Sequence, residues 1–474
     1  MRKGWRRRPR TGRLLAPLFL LLAGLTMLTA CASVPKLNPA IESASLPGRV
    51  LPIMGSQGPL TAAQGAAIVE RLHNQARDTD LLERHLAIER AVSETPLVAG
   101  NRTALLRDGP QTFAAMFAAM HGARHHLNLE YYIFEDVANG GEHIGDLLIA
   151  KRAEGVRVNV IYDSVGSLGT PQAFFDRLRK AGINLVEFNP VNPFQARNGY
   201  ALNERDHRKM LVADGTTAIV GGVNISTAYE HHPFGKLVGS DGKPTDYWRD
   251  TDLKIQGPTV AELQQLFLQH WREQKGPRLD QAGFFPKVPA MGHEVLHIIG
   301  STHGEAIPHY YATLLSAIRN AQKRILVTTA YFVPTEEEVE DLTGAARRGV
   351  DVRLLLPGKS DSQLALAVGQ SHYGDLLEAG VKIYETPNEV LHSKTIAIDG
   401  VWSSVGSSNF DHRSALFNDE VDAVVLGADT ARQLEAIFRD DLKKAKAVDR
   451  EAWKHRPFSR RLDETYSRIW QNLL

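Results

Sequence analysis

Apolar and polar positions along this chain run through the same succession twice. In the first pass, Leu127-Asn128-Leu129-Glu130-Tyr131-Tyr132-Ile133-Phe134 reads as a strand, a helical stretch follows to Ala153, and Val156-Arg157-Val158-Asn159-Val160-Ile161 reads as another strand. In the second pass, Ile325-Leu326-Val327-Thr328-Thr329-Ala330-Tyr331-Phe332 is followed by a helical stretch to Arg347 and then by Val350-Asp351-Val352-Arg353-Leu354-Leu355. Each pass continues into a helix that ends in Ala-Gly, at Ala181-Gly182 and Ala379-Gly380, and then into further strands. Strands alternating with helices predict an α/β fold, and the duplication predicts two fused, similar halves, each a mixed sheet flanked by helices. The halves are expected over residues 111–285 and 286–474. Ahead of them, Ala63, Ala66, Ile68, Val69 and Leu72 favour one helical face, so residues 61–110 read as a helical lead-in packed on the body.

Both halves then carry His-x-Lys-x4-Asp: His207, Lys209 and Asp214 in the first, His392, Lys394 and Asp399 in the second. The surrounding residues are apolar and β-branched, so each copy reads as a strand on which His and Lys, two apart, share a face. Asp lies at an odd offset and precedes Gly215 or Gly400, a strong hairpin signal, which makes a turn role as open to it as a catalytic one. With Asp-Gly at the two central turn positions, Gly222 is expected opposite His207 and Ser407 opposite His392. Asn224 and Asn409 follow two residues on, on the same face.

Lysine has three donors and no acceptor, so this face repels a cation and suits an oxyanion. Two lysines and two asparagines from two halves can hold the oxygens of a phosphodiester and stabilise charge developing on them. Two histidines supply a nucleophile that forms a phosphohistidine and an acid that protonates the leaving alcohol, then deprotonates the incoming one. One active site at a pseudo-twofold interface is therefore expected. The repeat also aligns Asp250 with Glu420, each shortly before a helix. A carboxylate on the second ring nitrogen would fix an imidazole's tautomer, though acids on strand faces also pair with surface lysines.

Composition changes the picture at the N-terminus. The chain has 474 residues, 43% hydrophobic, enough for a sizeable core and against disorder. Arg2, Lys3, Arg6, Arg7, Arg8, Arg10 and Arg13 precede any acid, so the formal net charge of +1 falls to about −6 without them. Such a body is a poor non-specific partner for nucleic acid. The basic stretch leads into apolar Leu14–Ala30 and then Cys31, the one cysteine. That order predicts an export signal over 1–30, with an uncleaved membrane anchor as the alternative. Leu28-Thr29-Ala30-Cys31 resembles the lipobox of bacterial lipoproteins, which implies lipid attachment at Cys31. Residues 31–60 read as a tether. The expected location is the cell envelope, lipid-anchored and periplasm-facing, with Ala32 pointing to the outer membrane.

The paired signatures, with Gly221-Gly222-Val223-Asn224 and Gly406-Ser407-Ser408-Asn409 at equal distances after Asp, resemble the phospholipase D superfamily. Leu129–Phe134, Tyr331-Phe332-Val333-Pro334 and Leu356-Pro357-Gly358-Lys359-Ser360-Asp361 are similar to bacterial cardiolipin synthases. The resemblance covers about Pro96 to the C-terminus. It implies transfer of a phosphatidyl group between phospholipids without metal or organic cofactor, from phosphatidylglycerol and with phosphatidylethanolamine as a further candidate. It also implies His207 as nucleophile and His392 as acid and base, with a single chain sufficient for the site. Asn224, Ser407, Asn409, Asp250 and Glu420 are expected to bind phosphate or support these groups. Gly222 departs from the serine common in the family, so that half lacks one hydroxyl donor. Hydrolysis to phosphatidic acid is the nearest alternative; a nucleic-acid phosphodiesterase or a non-catalytic lipid-binding lipoprotein are more distant ones. The remaining histidines, such as His121, His125, His126, His293, His297, His303 and His309, show no compact metal-ligand spacing.

Overall fold

The computed structural model describes residues 52–75, 79–82, 86, 95–192, 203–230, 248–305, 308–360, 362–387, 389–457, 466–468 and 471. Cys31, the export segment, most of the tether and the stretch His231–Thr245 lie outside the described residues.

Among the described residues, the sheet of each half has seven main strands. In the first they are β1 (Val98–Leu106), β2 (His126–Tyr131), β3 (Arg157–Asp163), β4 (Asn184–Phe188), β5 (Lys209–Ala213), β6 (Thr217–Gly221) and β7 (Asp252–Gln256). In the second they are β8 (Glu294–Ser301), β9 (Arg324–Thr328), β10 (Asp351–Pro357), β11 (Lys382–Thr386), β12 (Thr395–Ile398), β13 (Trp402–Gly406) and β14 (Asn418–Leu426). Pairing gives the order β4-β3-β2-β5-β6-β7-β1 in one half and β11-β10-β9-β12-β13-β14-β8 in the other. The first three strands in each order are parallel and joined by helices, while the rest are antiparallel. Equivalent strands β1 and β8 also pair antiparallel with each other, around Ala99 and Val295, so the two sheets are continuous across the pseudo-twofold.

The lead-in holds the expected helix, α1 (Ala62–Gln75), but its last part is strand β1, not helix. Val98-Ala99-Gly100-Asn101-Arg102-Thr103 contains a glycine and too few apolar residues to show alternation, so tertiary pairing with β7 and β8 decides its state.

Helices α2 (Gly109–Gly122), α3 (Ile144–Ala153) and α4 (Gln172–Lys180) cover one face of the first sheet, where Phe113, Phe117, Leu148, Val160 and Phe175 form a core. In the second half, α6 (His309–Asn320), α7 (Glu336–Arg347) and α9 (Tyr373–Ala379) do the same, while α8 (Gln363–Ser371) packs on Val333 through Ala365 and Val368. A third core joins the halves. It takes Met210, Val212 and Val220 from one, Leu326, Ala397 and Val405 from the other, and residues of α5 (Val260–Glu273) and α10 (Ala428–Leu442). The signature strands therefore lie in the shared layer and not on an outer face.

The hairpin turns differ from expectation by one residue. Ala213 pairs with Thr217 and Ile398 with Trp402, leaving three-residue loops in which Asp214 and Gly215, or Asp399 and Gly400, take positive φ. The register slips accordingly, and Gly222 and Ser407 no longer face the histidines. They lie instead against Asp250 and Glu420.

Candidate active site

Each histidine is tied by its backbone to the opposite half. Arg205-Asp206 runs parallel to Asn418-Asp419, and His207 N–H donates to the Asp419 carbonyl at 2.9 Å. Symmetrically, Trp248-Arg249 runs parallel to Val390-Leu391, and His392 N–H donates to the Arg249 carbonyl at 2.7 Å. The residue after each of these carbonyls is the acid that the repeat aligned. Glu420 consequently reaches His207, with Nδ1 3.0 Å from Oε2, and Asp250 reaches His392, with Nδ1 2.7 Å from Oδ2. The acids are exchanged between the halves.

Both imidazoles open onto one cavity of about 420 Å³, lined also by Tyr132, Arg205, Asn224, Trp248, Tyr331, Asn409, Arg413 and Asn418. Nδ1–H donated to a carboxylate leaves Nε2 as the reactive nitrogen on each ring. Lys209 and Lys394 are buried beside the rings, with Nζ 2.5 Å from the carbonyl of its own histidine in both cases. Lys394 Nζ also lies 3.0 Å from His392 Nδ1. Burial pushes His207 down to about 4 against the attraction of Glu420, and Lys209 and Lys394 add to the depression. Burial, then Lys394, hold His392 at about 4 as well. Lys209 itself is pushed down to about 7, chiefly by burial. These values leave both rings neutral at neutral pH, and an anion bound beside them favours their charged forms.

The supporting residues divide unevenly. Asn224 lines the cavity and accepts from Ile133 N–H at 3.1 Å; Asn409 lines it too and is held by Ser414 Oγ on its backbone N–H at 3.0 Å. Ser407 does not face the cavity. Its hydroxyl donates to Glu420 Oε2 at 2.5 Å, and Ser414 and Asn418 donate to Oε1 at 2.8 and 3.2 Å. Four donors, His207 included, thus surround Glu420, which stays ionised although fully buried.

Asp214 and Asp399 lie at the far ends of their strands, away from the imidazoles. Asp214 accepts the backbone N–H groups of Arg124, His125 and His126 at 2.8–2.9 Å, and Asp399 those of Gln322, Lys323 and Arg324 at 2.8–2.9 Å. Each carboxylate clamps the entry to the strand beside its hairpin, β2 or β9. The alternative that makes them turn residues is the one the geometry supports.

Several residues carry weight that the sequence reading passed over. Asp252 and Asp422, two after the acids, occupy the space a Cβ would need at Gly221 and Gly406, and accept Val223 N–H at 3.0 Å and Ser408 Oγ at 2.5 Å. The glycine of each Gly-x-x-Asn stretch, repeated in both halves, was the available clue. Arg208, between His207 and Lys209, is fully buried, with Nε on the Glu420 carbonyl at 3.1 Å and Nη1 on Glu130 at 3.3 Å. Glu130, Asp206 and His270 gather near it in a cluster that their positions in sequence gave no reason to expect. Its geometry is that of an ion-pair network. Burial alone would lower His270, but Glu130 at 2.7 Å on Nδ1 and Asp419 at 3.2 Å on Nε2 raise it to about 10.

A duplicated mixed sheet with paired histidines, lysines and asparagines around one cavity defines a phospholipase D-like enzyme. Residues 116–234 and 314–442 match the family described as cardiolipin synthase, PLD-like domain. A cardiolipin synthase of Geobacillus kaustophilus (strain HTA426) is 36% identical over 386 residues, covering 81% of this chain and 74% of that protein. One of Alkalihalophilus pseudofirmus is 36% identical over 388 residues, covering 81% and 74%. The solved phosphatidylserine synthase of Haemophilus influenzae Rd KW20 has the same fold, with a TM-score of 0.63 over 82% of this chain and 98% of its own, at 12% identity. The chain belongs to the cardiolipin synthase family, and it is a phosphatidyltransferase of the phospholipase D superfamily.

Proposed function

We propose that this chain joins two phosphatidylglycerol molecules through a phosphohistidine on His207. The observation that carries the reading is the crosswise pairing of each imidazole with a buried carboxylate of the other half, both rings lining one cavity. His207 Nε2 attacks phosphorus, and the bond to the glycerol headgroup breaks. The departing oxygen takes a proton from Nε2 of His392, whose imidazolium form Asp250 stabilises. Glu420 balances the positive charge that develops on His207 as the P–N bond forms. The glycerol hydroxyl of a second lipid then loses its proton to His392 and attacks phosphorus, the P–N bond breaks, and cardiolipin leaves. Lys209, Lys394, Asn224 and Asn409 hold the non-bridging oxygens throughout.

The same intermediate yields phosphatidic acid when water is the acceptor, so product analysis decides. Purified, detergent-solubilised protein is incubated with phosphatidylglycerol, with and without phosphatidylethanolamine, and the lipids are separated. Cardiolipin and free glycerol are expected; phosphatidic acid alone, or cleavage of DNA and of no lipid, would overturn the assignment.

A bacterial membrane is the setting that the relatives support. Among the described residues no helix is long and apolar enough to cross one. The order of basic stretch, apolar run and Cys31 supports a periplasm-facing lipid anchor, for which radiolabelled palmitate should enter the wild type and not a Cys31→Ser variant.

A further inference from the structure

Although the two histidine sites are related by the repeat, their second ring nitrogens are served differently. On the His207 side the hydroxyl of Ser407 donates to the acid. At the equivalent position the other side has Gly222, and a Cβ there would run into the Asp250 carboxylate. Asp250, one methylene shorter than Glu420, occupies the space that a serine would take.

A hydroxyl nevertheless reaches Asp250, from another element. Tyr229 lies in a single 3-10 turn, Thr227–Tyr229, five residues beyond Asn224, and is fully buried. Its Oη is 2.9 Å from Nδ1 of His392 and 3.4 Å from Oδ2 of Asp250. The ring is held edge-on to Trp248 at 5.6 Å, and its backbone lies so close to Gly109, at the start of α2, that no side chain fits there. Burial and the nearby Asp250 raise the phenol well above its ordinary value, so it keeps its proton and remains a donor.

We propose that Tyr229 is the positioning residue of His392: its hydroxyl supplies to Asp250 the donor that Ser407 supplies to Glu420. This rests on the reading of His392 as acid and base. Nδ1 of His392 carries one proton, and Asp250 at 2.7 Å is its acceptor. The phenol, donating to the same carboxylate oxygen, moderates its basicity and fixes its rotamer. Lys394 faces the ring at 3.0 Å, Lys209 acts on it through space, and the Tyr331 ring stands edge-on at 6.2 Å. Asn224 hydrogen-bonds to the phenol, and Tyr331 and Asp252 face it in turn. None of these supplies Asp250 with a neutral hydroxyl at hydrogen-bond distance. Gly222, Asp250 and Tyr229 thus form a set that replaces the serine and glutamate of the other half.

Removing the donor leaves a more basic carboxylate, which holds the imidazolium more strongly and raises the His392 pKa. In Tyr229→Phe, kcat for cardiolipin formation should fall about tenfold with KM within about twofold, and the alkaline limb of the kcat profile should move up by about half a pH unit. The ring-nitrogen signal of His392, titrated by NMR in protein without substrate, should shift in the same direction. This second readout does not depend on the lipid chosen, so failure of the synthase assignment would not be mistaken for failure here. Replacing Tyr229 with 3-fluorotyrosine keeps ring and hydroxyl but strengthens the donor, and should move both readouts the opposite way. Melting curves verify that both proteins fold. A Tyr229→Phe enzyme with the wild-type pH profile and an unmoved His392 signal would show that the ring only fills space, as would a fluorinated enzyme that shifts neither.

Discussion

At the scale of the residue, the site depends on groups that do not touch substrate. Glu420 and Asp250 hold Nδ1 of the two histidines, so an amide in either place presents a donor where an acceptor is needed and favours the wrong tautomer. Glu420→Gln and Asp250→Asn should each lower kcat by about 10²- to 10⁴-fold with little change in folding, measured by cardiolipin formation and by melting temperature. Glu420→Gln should also suppress the phosphohistidine trapped from labelled lipid, whereas Asp250→Asn should slow its turnover. The histidines make stability pH-dependent as well. Their folded-state values of about 4 lie below the ordinary 6.5, so the unfolded chain binds more protons in between. Stability from these rings is intact above about pH 6.5 and lost as pH falls through about 4. The melting temperature should drop across that window, and a His207→Gln, His392→Gln double variant should show a shallower drop. The signature histidines, lysines and asparagines were legible because each residue type has its own donor inventory and occurs twice. Tyr229 and Ser414 were not legible, since their contacts depend on the path of turns that no periodicity encodes.

At the scale of the element, the two signature hairpins show what alternation can and cannot specify. The strands, their parallel partners and the helices ending at Lys180 and Ala379 follow from period and capping. Register does not, because Asp-Gly fits a two-residue and a three-residue loop equally well, and one extra residue turned Ser407 from the expected phosphate site towards Glu420. The same turns separate structure from chemistry within the signature. Asp399 receives three backbone N–H groups and the Thr79 hydroxyl at 2.7 Å, from a segment more than three hundred residues earlier in the chain. Asp399→Ala would leave these donors unpaired and should cost about 1–3 kcal/mol in urea unfolding, with kcat at permissive temperature changed less than about threefold. Lys394→Ala should do the reverse, abolishing turnover while the unfolding midpoint stays near that of the wild type.

At the scale of the whole molecule, the duplication was visible in the sequence but the exchange of acids was not. Alignment of Asp250 with Glu420 says that they are equivalent; it does not say which histidine each serves. That follows from the short parallel bridges that carry each histidine across the pseudo-twofold. Double-mutant cycles on kcat test it directly. His207 should couple to Glu420 and His392 to Asp250, while the within-half combinations His207 with Asp250 and His392 with Glu420 should be closer to additive. Separately produced halves should be inactive, because each would have a histidine without its carboxylate.

The pairing of β1 with β8 carries a consequence for how this chain comes apart. The connection from Lys275 to His293 is mostly exposed, yet the halves it links share a sheet, a core and two buried histidine–carboxylate hydrogen bonds. A protease that cuts this connection removes the tether but none of those contacts, so the nicked protein should remain one particle on gel filtration and keep its activity. Heated, it should melt in a single transition, since neither fragment can open without stripping the other of a buried hydrogen-bond partner. Covalent continuity is then a matter of assembly, and the working enzyme is held together by what its two halves lend each other.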